Sequence, residues 1–479
     1  MSAEYRTEFD QQHGINSITE TLGDAGVTQI FVHCITALGD RVELDATLPG
    51  FTKYAERALL MARPDDLVCV LDKVDNRYLQ FLSHLGVGPQ GGNVIVAAKP
   101  VQPYIDECPL DALVNNSEAL VTIRRLVRQD TKIILNPYFM SAKMFELATA
   151  LQAVLSREVS VLGGDLHIVD YANHKHNVRT KALELGVPVP EGEVVEIALQ
   201  AGGLPNLTLL WIAINRYIHR TGRVIIKGSH GFSGSSIAII EDSSQRAEKA
   251  LSEVAGRMKK KIYLVEVMLD VTVSPNILMY IEPGQGRVSC VGVTDQILNG
   301  DLKHEGNIYP SGARTLQDML NSARQMAHWL QAQGYWGLAG FDFGEYFNRE
   351  TGQFAHFLAE VNPRINGAAY PKALVEHLNR GQRQKNKPCI GAFLAADITT
   401  PAKSFAELAR LSGHLFFDPK TGKGLVPYNV GCLENGRCSV ALLGQSRTEV
   451  IRMYENLQAL FVSEHTLSDG DSGKERNVL

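Results

Sequence analysis

The chain has 479 residues, 45% of them apolar, and a formal net charge of −5. That length exceeds one ordinary domain and points to about three, while the charge excludes the basic surplus of a nucleic-acid or anionic-membrane binder. No apolar run reaches the ~18 residues of a membrane helix. The seven cysteines, with Cys432 and Cys438 as the close pair and no C-x-x-C, read as thiols of a reducing compartment. The polar start MSAEYRTEFDQQ lacks the apolar core of a secretion signal, so a cytoplasmic protein is expected.

Apolar runs over 30–36 and 67–71 predict strands, the amphipathic segments 54–62 and 77–85 predict helices, and 93–98 predicts a third strand. That βαβ rhythm argues a parallel sheet. A helix over 118–128 and a strand over 131–135, ending at Pro137, continue it. No G-x-G-x-x-G follows these strands, so a dinucleotide site is not expected.

The run HKHNVRTKALELGVPVP (174–190) reads as a helix stopped at Gly186 with Pro188 just beyond. Lys175 and Lys181 on it are each either a surface charge or a phosphate ligand. A helix over 206–220, with Asn206 as cap and Gly222 as stop, leads to a strand over 223–226 and then to KGSHGFSGSSIAII. There Lys227 closes a strand and is followed by Ser229, Gly231, Ser233, Gly234 and Ser235, small residues whose backbone amides can turn toward a polyphosphate while the lysine neutralises charge. The lysine comes first, so this is not a P-loop. His230 is either a phosphate or substrate contact or an exposed loop residue.

A helix over 243–259 and a strand over 261–267 come next, followed by strands over 276–282 and 287–294 across a turn. The polar segment 299–312 reads as a mobile surface loop, with Asp301, His304 and Glu305 as candidates for substrate specificity or for accepting a proton. After a helix over 316–333, the stretch WGLAGFDFGEYFNRETGQFAHFLAEVNPRING (336–367) reads as a β-hairpin. Side chains alternate along a strand, so Glu360 and Asn362 share a face that Asp342 can join. Acids set among Phe341, Phe343, Leu358 and Val361 need a partner, and two carboxylates with an amide oxygen suit Mg²⁺. The basic run NRGQRQKNK up to Lys387 reads as a linker, 388–462 as a small α+β piece, and the polar tail 463–479 as disordered.

These ordered motifs resemble the ATP-grasp superfamily. The resemblance implies an α/β and α+β multidomain fold: a Rossmann-like preATP-grasp domain (1–187), a lid lobe (188–265), a metal and substrate lobe (266–387) and a C-terminal module (388–462). It implies ATP and Mg²⁺ as cofactors, with the metal on Asp342, Glu360 and Asn362 and the triphosphate under the Gly/Ser lid beside Lys175 and Lys227. The adenine would meet the hinge at Glu266, Val267, Met268 and Leu269, with Asp270 or Ser274 open for the ribose. Arg364, in EVNPR, would orient a substrate carboxylate beside Asn366, a role its planar fork suits. The C-terminal run GLVPYNVGCLENGRCSVALLGQS resembles the pheganomycin-type peptide ligases of bacterial secondary metabolism. The implied activity is ATP-dependent joining of a small-molecule carboxylate and an amine, in an enzyme that is often a homodimer. A small-molecule kinase and a non-catalytic ATP-binding protein are the alternatives.

Overall fold

The computed structural model describes residues 6–24, 26–35, 44, 46, 48–97, 109–198, 206–230, 237–241, 261–300 and 302–468. Short Val-, Ile- and Leu-rich runs form five parallel strands: β1 (Val27–Val32), β2 (Leu67–Val70), β3 (Val94–Val96), β4 (Lys132–Pro137) and β5 (Val159–Val161). Their order is β3-β2-β1-β4-β5. The first strand starts earlier than its apolar run predicts because polar residues are satisfied inside it. Thr28 bonds Thr131 at 2.7 Å and Asn136 donates to Gln29 at 2.6 Å. The helix expected over 54–62 is a 3₁₀ helix, Phe51–Leu60. Strand order reverses at β1, so the C-terminal ends of β1 and β4 open a crevice of the kind in which parallel sheets bind ligands.

A second, antiparallel sheet has the order β6-β9-β7-β8, from β6 (Gly192–Glu196), β7 (Arg223–Gly228), β8 (Ile237–Glu241) and β9 (Ile262–Val267). The helix Thr208–Thr221 packs on it and stops at Gly222, whose φ of 76° is the left-handed conformation glycine adopts most readily. The helix expected over 243–259 lies outside the described residues.

The third sheet holds nine strands: β10 (Val271–Val273), β11 (Pro275–Ile281), β12 (Val288–Leu298), β13 (His304–Tyr309), β14 (Gly337–Asn348), β15 (Gln353–Asn362), β16 (Ala392–Thr399), β17 (Gly424–Tyr428) and β18 (Arg437–Gly444). Its order is β10-β14-β11-β12-β13-β16-β18-β17, with β15 paired to β14. The helix Leu316–Ala332 covers one face with buried Met319, Leu320, Ala323, Met326 and Leu330.

Four expectations change here. The segment read as a mobile loop contains β13, paired on both edges between β12 and β16. The basic run read as a linker is mostly the end of the helix Ala369–Gln384. Its Asn379 bonds both backbone groups of Ile390, at 2.7 and 3.0 Å, and Gln382 donates to the carbonyls of Pro388 and Pro419. The strands β16, β17 and β18 extend the third sheet instead of forming one of their own. The last helix, Arg447–Ser468, also takes in 463–468, the start of the tail expected to be disordered. Among the described residues no helix is long and apolar enough to cross a membrane.

Candidate active site

The hairpin β14–β15 pairs Asp342 with Glu360 and Gly340 with Asn362, and β11 sets Asn276 opposite Asp342. The three side chains expected to share a face therefore do so. Asp342 accepts from Asn276 and, at 2.8 Å each, from Gln296 Nε2 and Asn362 Nδ2. Lys175 Nζ lies 3.0 Å from Glu360 Oε1. Desolvation and then the neighbouring Glu360 charge push the Asp342 carboxyl up to about 7, against the Asn276 hydrogen bond and the Arg364 and Lys175 charges. Two carboxylates sharing one site resist double ionisation unless a cation joins them. The set fits Mg²⁺, a hard ion that takes carboxylate and amide oxygens and completes its shell with water and phosphate oxygens. Among the described residues no group of three or more His, Cys, Asp or Glu side chains is placed to hold a metal ion.

Arg364 is built onto this cluster. Its Nη2 donates to Asn362 Oδ1 at 2.6 Å, and Nη1 lies 3.4 Å from the Tyr138 hydroxyl. Burial raises the Tyr138 phenol, yet the adjoining Arg364 and Arg57 charges outweigh it and leave the phenol below its ordinary range. Asn366 is committed within the fold: its Nδ2 donates to Asn276 at 2.5 Å, and its Oδ1 accepts from the amides of Ala368 and Ala369.

A cleft of ≈ 950 Å³ runs between the three sheets and gathers Lys175, Lys227, Asp342, Glu360, Asn362 and Arg364. Met268 and Leu269 of the hinge, Asn366, and His304 and Glu305 at the start of β13 also line it. Lys181 is not among the lining residues; it pairs with Glu184 and lies over Trp329. Val267 lines the cleft, but the Glu266 side chain does not. Glu266 is buried between Arg179 at 2.6 Å and Lys227 at 2.8 Å, a placement that steadies the lysine where an adenine contact was expected. Ser229 bonds His176, and the His230 ring packs 5.4 Å from His174, neither lining the cleft. Gly231, Ser233, Gly234, Ser235 and Asp301 lie outside the described residues.

The sequence reading missed Asn276 and Gln296, which hold Asp342, and the Arg57–Tyr138 pair at the end of the parallel sheet. No local motif marks them; the pairing of β11 with β12 and β14 brings Asn276 and Gln296 to Asp342, and the packing of the 3₁₀ helix against the end of β4 sets Arg57 over Tyr138.

The class of fold follows from this layout, a parallel-sheet domain leading into two antiparallel lobes around one cleft. Residues 55–153 match the family model of the Pre ATP-grasp domain, and the chain has the ATP-grasp fold. It is similar to N5-carboxyaminoimidazole ribonucleotide synthetase, solved with ADP, at 12% identity over 92% of this chain and 97% of that one, with a TM-score of 0.50. It is likewise similar to the biotin carboxylase of Campylobacter jejuni, solved as its βγ-ATP complex, at 13% identity over 90% of each chain, with a TM-score of 0.51. Likeness at such identity speaks for the fold. No curated protein matches the chain by sequence.

Proposed function

We propose that the protein is an ATP-dependent carboxylate–amine ligase that activates an acid as its acyl phosphate, releases ADP, and closes an amide bond with loss of phosphate. The observation that carries this reading is a single cleft in which two buried lysines, a facing carboxylate pair and an arginine converge. Asp342, Glu360 and Asn362 would hold Mg²⁺, which when bound neutralises charge on phosphate oxygens. Lys175 and Lys227 add positive charge in the same cleft, fixed before reaction by Glu360 and Glu266. Arg364, held by Asn362, presents its remaining donors to the acid and orients its carboxylate.

The particular reading is a peptide ligase of bacterial secondary metabolism, cytoplasmic and homodimeric, acting on amino acids or short peptides. It is supported by the resemblance of the C-terminal run, whose strands β17 and β18 reach the cleft through Tyr428 and Arg437, and by a cleft roomy enough for a nucleotide with two small substrates.

The test is ADP release with Mg·ATP and pooled acids and amines, comparing the wild type with Glu360→Gln. We expect a loss of ~100-fold or more in the variant with its thermal unfolding still cooperative. A variant that turns over at the wild-type rate removes the metal role from Glu360 and the ligase reading with it.

A further inference from the structure

Arg57, in the 3₁₀ helix Phe51–Leu60, is only 7% exposed and yet lines the cleft. Its guanidinium carbon lies 4.3 Å from the centroid of the Tyr138 ring, 4.8 Å from that of Tyr370 and 5.2 Å from that of Tyr54. The titratable groups around it are the phenols of Tyr370, Tyr138, Tyr54 and Tyr428 and the imidazole of His33. Glu56, its neighbour in the chain, turns the other way and accepts from the Gly431 amide at 2.9 Å. Neither Nε nor Nη2 of Arg57 has a hydrogen-bond partner. Those two atoms form one edge of the guanidinium, the edge that grips a carboxylate with two parallel hydrogen bonds. A buried cation with two unused donors is costly unless an anion completes it.

The surroundings say where that anion comes from. Tyr138 directly follows β4, and His33, which bonds Tyr370 at 2.9 Å, directly follows β1. Arg57 thus stands at the strand-order reversal, the ligand-binding crevice of a parallel sheet. Arg364 touches the same Tyr138, 5.6 Å from the ring centroid, but is bonded into the Asp342 cluster through Asn362. One cation adjoins the carboxylates that would hold the metal, and the other is set back from them behind a tyrosine.

We propose that Arg57 is the recognition site for a second, non-reacting carboxylate on one of the two substrates, gripped side-on through Nε and Nη2 inside a wall of Tyr54, Tyr138 and Tyr370. This rests on the ligase reading of the cleft. The substrate pair then includes either a dicarboxylic acid or an amine that carries a free carboxylate, as an amino acid or short peptide does. Arg57 positions substrate and takes no part in phosphoryl transfer.

The test uses the full chain and two probe series: short dicarboxylic acids against their monoamides, and amino acids and dipeptides against their C-terminal amides. Thermal shift and calorimetry are read for the wild type, Arg57→Met and Arg57→Lys. We expect at least one free acid to bind the wild type ~10-fold or more tightly than its amide, and Arg57→Met to lose that preference while its thermal shift with Mg·ATP persists. Arg57→Lys, which keeps the charge without the fork, should recover only part of it. A response in the dicarboxylate series puts the second carboxylate on the acid component, and one in the amino-acid series puts it on the amine. Equal binding of acids and amides, an unchanged preference in Arg57→Met, or no bound acid in either series overturns the proposal. Acid binding that depends on Arg57, without ADP release under any condition, leaves this site standing and removes the ligase reading instead.

Discussion

Arg364 meets two groups of different kinds, the amide oxygen of Asn362 and the hydroxyl of Tyr138. A lysine there keeps one positive charge but cannot serve those partners and a carboxylate together. We therefore expect Arg364→Lys to lower kcat/KM for the acid by about 100-fold with little change in KM for ATP; steady-state ADP release at varied acid and varied ATP separates the two. The residues proposed to hold the metal were legible in the sequence because strand alternation puts Glu360 and Asn362 on one face that Asp342 can join, and the pairing of Asp342 with Glu360 brings the three together. Arg57 was not legible. An arginine in an amphipathic segment reads as a solvated charge, and only the packing of Tyr54, Tyr138 and Tyr370 around it removes it from water.

The 3₁₀ helix Phe51–Leu60 joins the parallel-sheet domain to the far end of the chain, because the buried Glu56 accepts from the Gly431 amide in the connection between β17 and β18. Burial pushes this carboxyl from 4.5 up to about 7, only partly offset by the Gly431 hydrogen bond and the Lys53 charge. The unfolded chain loses the proton first as pH rises, so the stability contributed by the protonated form is intact below pH 4.5 and drains away between pH 4.5 and 7. Glu56→Gln, a neutral near-isostere, should flatten that part of the stability profile, worth up to ~3 kcal/mol, in urea titrations at a series of pH values. An unchanged slope would mean that Glu56 is ionised in the folded chain. At this scale the apolar strands were readable from sequence and the polar elements were not. The strand β13 looked like a loop because His304 and Glu305 face the cleft, although its backbone is paired on both sides. The run 379–387 looked like a linker because the polar side chains of Asn379 and Gln382 are spent on backbone partners inside the fold.

For the whole molecule, the βαβ rhythm and the later hairpins indicated a parallel-sheet domain followed by antiparallel lobes, and that layout is present. The relation of the C-terminal segment to the rest was hidden, since no local pattern tells a strand which sheet it will join. Pairing of β13 with β16 makes 388–462 part of the same nine-stranded sheet. A chain ending at Lys387 would expose the β13 edge and uncover buried Ile308 and Tyr309. We expect such a truncation to be insoluble or to lose cooperative unfolding, and 388–462 alone to show no cooperative transition in calorimetry. Independent folding of both pieces would contradict the continuity of the sheet.

The central claim is that the cleft joins an acid to an amine at the expense of ATP, and the most direct measurement is the mass of the product beside the identity of the nucleotide released. With Mg·ATP and pooled carboxylic acids, amino acids and short peptides, the account predicts ADP, phosphate and a product equal to acid plus amine minus water. ADP accompanied only by a phosphorylated, uncondensed product would make the protein a kinase. ATP binding without turnover across the whole pool would contradict the account as well.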